Sequence, residues 1–187
     1  MPKRIKTITV VLTGLLMAIV FLLTFFIKLN GPIPPGYINL GDSAVIVAGI
    51  ILGPWWGFLA GSVGSAAADI ALSASIFAPI TFVVKGLEAL VASIIYRMLM
   101  KKIRSYIDDK ASREKAEFVA YVTTSICGVL IMITGYFLAE WFILPLYAEN
   151  FGNVAALAEL PLNAIQGIVG AIAVSYTHLT LPTNREV

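Results

Sequence analysis

Charge is what this chain has least of. Of its 187 residues only 13% are Asp, Glu, Lys or Arg, while 59% are hydrophobic and the mean hydropathy is +0.90. Soluble domains carry about 25% charged residues, so this one cannot cover a surface with charge and reads as an integral membrane protein. A single cysteine, Cys127, excludes an internal disulfide and a cysteine-based metal cluster. A small apolar residue inside a span is its plain role. A single histidine, His178, leaves no histidine metal spacing and no Ser-His pair. No glycine-rich phosphate loop opens a soluble helix. Metal, cofactor and enzymatic activity are therefore not expected.

What is present is a series of apolar runs. The first, about residues 8–29, comes after the basic start Met1-Pro-Lys-Arg-Ile-Lys6 and meets the roughly 20 residues that a spanning helix needs. It is longer than a signal-peptide core and precedes further spans, so it is expected to be retained. A turn-rich loop, Gly31-Pro-Ile-Pro-Pro-Gly36, then delivers Tyr37, Asn39 and Asp42 to the mouth of the apolar region. The second run, 43–52, begins at Asp42, which suits an N-cap or first-turn acid that satisfies free amide groups. The third begins at Pro54, a favoured first-turn residue, and reaches about Leu72. Its Gly57, Gly61 and Ser65 recur every four residues, a spacing that lets helix backbones approach closely in lipid. This span is expected at the buried centre.

A fourth run covers about 76–100, a fifth about 118–144, ending at Pro145, and a sixth starts near Leu160. Between the fourth and fifth, basic residues and interspersed acids read as a solvated loop of amphipathic character. The fold class expected is all-α, with six transmembrane helices and both termini cytoplasmic. Of 13 Lys and Arg, three lie at the N-terminus and seven between residues 97 and 115, so ten share one face. Cytoplasmic loops carry that excess. Trp55, Trp56 and Trp141 fall near span ends, where interfacial aromatics are common. The basic segment lacks the interleaved aromatics of a nucleic-acid surface, and no nucleic-acid partner is expected.

Residues 1–174 read as one membrane domain. The stretch 175–187 resembles a translated sequencing-adaptor scar and reads as a non-native tail, which leaves the sixth span only about 15 residues. His178 falls in that tail and takes no role.

Ionisable groups inside spans are costly and by default mark a site or the pairing that supports one. Asp69 lies near the outer end of the third span. Thr81, Lys85 and Glu88 share a face of the fourth by i, i+4, i+7 spacing. Tyr136 and Glu140 are one turn apart on the fifth, and Glu159, Asn163 and Gln166 repeat the pattern on the sixth. With Tyr37 and Asn39 from the loop, all of these belong to the outer half of the bundle. Their co-location predicts one outward-facing polar pocket for a small solute. The competing structural roles are an internal ion pair of Asp69 with Lys85, a Glu88 bond to a neighbouring span, and Asn163 as inter-helix glue.

Gly36-Tyr-Ile-Asn-Leu-Gly-Asp42, Leu52-Gly-Pro54, Gly61-Ser-Val-Gly-Ser65, Ala68-Asp69, Ala78-Pro79 and Lys85-Gly-Leu-Glu88 resemble the S components of energy-coupling factor (ECF) vitamin transporters. The riboflavin-type and related uncharacterised members are the most similar. Gly135-Tyr-Phe-Leu-Ala-Glu140 and Pro161-Leu-Asn-Ala-Ile-Gln166 extend the likeness over about residues 8–174. The resemblance implies a subunit in a prokaryotic plasma membrane that binds a vitamin from outside. Its partners would be a transmembrane coupling subunit and two cytoplasmic ATPases. By position it implies ligand contacts from Asn39, Tyr136, Glu140, Asn163 and Gln166, with Lys85 beside them and Tyr37 on the same loop. The family's first span carries an Ala-x-x-x-Ala pair that faces the coupling subunit; here Gly14-Leu-Leu-Met-Ala18 stands in its place.

Glu140 favours a cationic or donor-rich group, Lys85 suits a carboxylate or phosphate, and Tyr37 and Tyr136 can flank a flat ring. A pyrimidine, pyridine or flavin type of vitamin or precursor fits these. The alternative functions are a self-sufficient secondary transporter or channel, which should show repeated halves and broken helices, and a membrane enzyme or scaffold.

Overall fold

The computed structural model describes residues 6–30 and 37–180; the turn-rich loop at 31–36, the basic start before Lys6 and residues 181–187 lie outside the described residues. Six helices carry the fold: α1 (Thr7–Phe26), α2 (Gly41–Leu52), α3 (Pro54–Ala71), α4 (Ala78–Tyr106), α5 (Lys110–Leu138) and α6 (Asn153–Thr180). Two short strands, β1 (Lys28–Asn30) and β2 (Tyr37–Asn39), pair antiparallel between α1 and α2, with Lys28 opposite Asn39 and Asn30 opposite Tyr37. Four helical stretches, beginning at Thr7, Ala78, Lys110 and Asn153, are long and apolar enough to cross a membrane.

The packing is that of a protein dissolved in lipid. Large apolar side chains such as Val11, Leu15, Leu22, Leu130 and Ile172 point outward, while every buried charged residue among those described lies inside the bundle. Outward leucine and valine cost nothing against acyl chains, so helix association rests on close packing and interior polar bonds. Gly57 shows the closeness required: a Cβ there would stand 2.6 Å from the Gly49 Cα. At Gly64 one would stand 2.6 Å from the Met17 carbonyl oxygen. The small-residue stripe therefore lets α3 press on both α2 and α1, as its spacing predicts.

The innermost helix is nevertheless α2. It packs against α1, α3, α4 and α6, and eight of its 12 residues are buried. At 1.5 Å per residue it is about 18 Å long, short of the roughly 30 Å of hydrocarbon in a bilayer. Surrounded by protein, it need not span. Gly53 at φ 92° turns the chain from α2 into α3, and Pro54 opens α3.

Three boundaries differ from those expected. The basic segment is not a loop: α4 runs on to Tyr106 and α5 starts at Lys110, leaving only residues 107–109 between them. Helix propensity of the Lys, Arg, Glu and Ala residues there outweighs their polarity. Asp109 caps α5, accepting from the Ser112 backbone N–H at 2.8 Å, and that bond holds its carboxyl below the usual range. The fifth span does not stop cleanly at Pro145 but widens into a π-turn over Ala139–Ile143, with a tight turn at Leu144–Leu146 after it. The sixth helix begins at Asn153, with Pro161 inside it, and continues past Val174 to Thr180. Its length is thus 28 residues, not about 15, and Val174 is buried against Ile46, Ile50 and Val129.

Candidate functional site

The strand pair sets one edge of the site by laying β2 across the ends of the helices. Tyr37 donates its hydroxyl to Asp69 Oδ1 on α3. Two residues on, Asn39 Oδ1 accepts from the Gly41 backbone N–H at 2.7 Å, while the Asn39 N–H donates to Gln166 Oε1 on α6 at 2.6 Å. Asn39, rather than Asp42, therefore satisfies an amide at the start of α2. Asp42 does sit in the first turn, but its carboxylate turns inward, where Gln166 Nε2 donates to Oδ2 at 2.9 Å.

The other oxygen of Asp42 pairs with Lys85 Nζ, which also reaches Glu88 Oε2 at 3.0 Å. The Asp69–Lys85 pair, one of the competing structural roles, is not formed; Asp42 occupies the lysine and Tyr37 occupies one oxygen of Asp69. All three members of the Asp42–Lys85–Glu88 cluster are at most 2% exposed. A buried charge is tolerated only with partners, and each of these has one. Tyr136 completes the surround: its ring centroid lies 5.6 Å from Lys85 Nζ, and its hydroxyl shares a hydrogen bond with Thr81 Oγ1 at 2.9 Å.

Between this cluster and β2 lies a narrow cavity of about 30 Å³. The loop contributes Tyr37 and Asn39, α4 gives Thr81 and Lys85, and Tyr136 and Glu140 come from the end of α5 and its π-turn. Thr24, Ser65, Asp69, Phe77 and Glu159 close the remaining walls. A π-turn adds a residue to the helical repeat and re-aims the side chains beyond it, which is why such turns are frequent at functional sites. Here Glu140 is its second residue and is buried. Several polar atoms on the walls lack a hydrogen-bond partner: Asp69 Oδ2, Glu140 Oε2, Ser65 Oγ and Thr24 Oγ1. Buried polar atoms are normally satisfied; four of the eight orphans among the described residues lie on this wall and give the cavity the capacity to bond a polar solute.

Of the residues expected at the site, Tyr37, Asn39, Lys85, Tyr136 and Glu140 line this cavity. Gln166 does not line it; it sits behind, joining Asn39 to Asp42. Asn163 is buried at 7% exposure but is not on the cavity wall. Glu159, one turn earlier on α6, is on the wall instead. The sequence signal misses Thr24 and Ser65, because a lone threonine in an apolar run and a serine in a small-residue stripe both read as packing. Gly14 and Ala18 lie away from the site on the exposed side of α1, and a Cβ at Gly14 would meet nothing within 4 Å.

Residues 4–181 match the model of the family described as "ECF-type riboflavin transporter, S component". The chain belongs to that family. The family is a transporter component, not a class of enzymes. A protein of Pyrococcus woesei, known as the "uncharacterized protein in gap 3'region", is 24% identical over 149 residues, spanning 80% of this chain and 84% of that protein. A solved structure described as that of the S component of a bacterial ECF transporter superposes with a TM-score of 0.62. It covers 91% of this chain and 93% of its own at 22% identity, a likeness of fold.

Proposed function

We propose that this protein is the substrate-binding membrane subunit of an ECF-type importer. It captures a water-soluble vitamin or heterocyclic precursor of flavin, pyrimidine or pyridine type from outside the cell. A transmembrane coupling subunit and two cytoplasmic ATPases then drive its uptake. The protein would sit in a prokaryotic plasma membrane with the cavity on the outer side and both termini inside. The clustering of ten Lys and Arg at the N-terminus and over 97–115 supports that orientation.

The observation that carries the reading is the cavity under β2, walled by aromatic rings and by buried polar atoms without partners. Its present volume accommodates on the order of two waters, so a vitamin can enter only if β2 and Tyr37 move outward. Tyr37 is held there by its bond to Asp69, and a ligand that competes for Asp69 releases it. The apolar groove of about 440 Å³ beside the same strand, between Phe26, Ile38 and Val169, leaves β2 unpacked on that side. Native mass spectrometry of the purified protein, with equilibrium binding of whatever co-purifies, tests the reading. A retained heterocycle that binds reversibly supports it, and absence of binding by flavins, pyrimidines and pyridines alike removes it. Co-purification of ATPase subunits from the native host tests the assembly separately.

A further inference from the structure

At the end of α4 away from the cavity, three cations stand on one helix face without an acid to meet them. Arg97, Lys101 and Arg104 follow i, i+4, i+7 spacing, and among the described residues none of them pairs with a carboxylate. Like charges at such spacing destabilise a helix. They rim a groove of about 440 Å³ whose other lining residues are Ile50, Tyr96 and Met100. Ile50 and Met100 are buried and make its floor apolar. Tyr96 forms a wall, its hydroxyl sharing a hydrogen bond with that of Tyr121 on α5 at 2.9 Å. Arg97 stands about 24 Å along α4 from Thr81 on the cavity wall, so the groove is a separate site.

Its depth in the membrane is marked by its neighbours. Ile51 and Met98, next in sequence to Ile50 and Arg97, are 53% and 56% exposed, and side chains of this kind belong against acyl chains. Trp55, 75% exposed, opens α3 just beyond Gly53. The Arg97 guanidinium lies over that glycine, where a Cβ would stand 2.7 Å from one of its nitrogens. Exposed tryptophan and an arginine that reaches back along its helix both belong where hydrocarbon gives way to headgroups. The groove therefore opens sideways into the bilayer at headgroup depth. The positive-inside rule accounts for basic residues at this end of the bundle but calls for no groove; Lys102 and Lys110 serve it equally well and lie outside the groove.

We infer that this groove holds one anionic phospholipid. The lipid phosphate is met by Arg97, Lys101 and Arg104, while its glycerol and first acyl carbons cover Ile50 and Met100. Basic pockets between membrane helices bind anionic headgroups, and the planar fork of arginine suits phosphate oxygens. A soluble phosphate would satisfy the cations and leave the apolar floor bare. An acidic protein segment would satisfy them without using the sideways opening. The inference is independent of what the outer cavity captures.

The test uses the full chain in detergent, titrated with dioleoyl-phosphatidylglycerol or dioleoyl-phosphatidylcholine and read by native mass spectrometry. The acyl chains are the same, so only the headgroups differ. The first phosphatidylglycerol should bind tenfold or more tighter than phosphatidylcholine. Each Lys or Arg near an anionic headgroup contributes about fivefold, so Lys101→Gln with Arg104→Gln, both at exposed positions, should remove most of that preference. Lys102→Gln with Lys110→Gln removes the same charge outside the groove and should keep the affinity within about twofold. If the groove double variant melts early, either single substitution should show a loss of about fivefold. Equal binding of the two lipids by the unmodified protein overturns the inference. Equal loss in both double variants also overturns it, since the charge then acts diffusely. Displacement of the lipid by sn-glycerol 3-phosphate at equal concentration would assign the groove to a soluble phosphate instead. Unchanged phosphatidylglycerol affinity in the groove variants overturns the inference as well; if they lose co-purification with a coupling subunit instead, the groove belongs to an acidic protein partner.

Discussion

The backbone N–H of Asn39 donates to the side-chain oxygen of Gln166 across 2.6 Å, joining residues 127 positions apart in the chain. The same side chain passes on to Asp42, and Asp42 to Lys85. A strand that covers the cavity is thereby tied to α6, α2 and α4 through one amide and one carboxylate. The strand's position and the interior charge cluster are one connected system, and a change at any member is felt at the others.

Gln166→Ala should reveal that connection. It leaves the half-buried Asn39 N–H and the fully buried Asp42 Oδ2 without this partner, and a buried unsatisfied group costs about 1–3 kcal/mol. We expect a lower melting temperature of the apoprotein and faster hydrogen exchange over residues 37–39. A variant that melts normally and exchanges normally at β2 would show that the tie carries no weight.

Gly14 and Ala18 make the opposite prediction. Both lie on the exposed side of α1, and Gly14 has open space where a Cβ would go. Gly14→Leu or Ala18→Leu should therefore leave folding and ligand affinity of the isolated subunit unchanged within about twofold. If a partner helix packs closely there, as small residues permit, uptake by the complete transporter should fall tenfold or more. Loss of folding or binding would assign the pair to the protein's own interior.

The extent to which this site can be read from sequence depends on what kind of signal each residue leaves. Lys85, Glu140 and Tyr136 stand out because charge and hydroxyls are rare in apolar runs, and the structure brings all three to the cavity. Spacing along α4 brings Glu88 to Lys85, but it does not encode which acid of another helix joins them. Asp42 reaches Lys85 across a helix pair, and only the burial of α2 makes that possible. Gln166 and Asn163 share a helical face with Glu159, yet the cavity selects Glu159 alone, because helix phase says which way a residue points and not how deep the opposing wall stands. The ends of α4 and α5 are obscured by the same polarity that marks them as water-facing, since charged helix extensions and charged loops have similar composition.

Topology can be tested at two points outside the apolar stretches. With Cys127→Ala as background, a cysteine at Asp109 should resist an impermeant thiol reagent added to intact cells, and one at Asn150 should label. The seven Lys and Arg between residues 97 and 115 are the reason to expect this pattern. Labelling at 109 with protection at 150 would place the cavity on the cytoplasmic side and remove the capture reading.

The last prediction concerns Lys85, whose role divides two accounts of the site. If its ammonium exists to hold Asp42 and Glu88, then Lys85→Met strands two carboxylates in an interior where both are fully buried. Breaking a buried ion pair from one side costs about 3–5 kcal/mol, because the remaining charge is left uncompensated. The variant should melt far below the unmodified protein before any ligand is considered. Replacing all three, Lys85→Met with Asp42→Asn and Glu88→Gln, removes the charges together, and an asparagine oxygen at 42 can still accept from Gln166. Neighbours in one network are coupled, so the triple variant should be more stable than Lys85→Met alone. Thermal unfolding of the three proteins in one detergent gives the ordering directly. If Lys85 instead waits for an anionic ligand, Lys85→Met will leave the apoprotein's melting temperature nearly unchanged, the neutralised triple will recover nothing, and nicotinate or another anion will lose affinity.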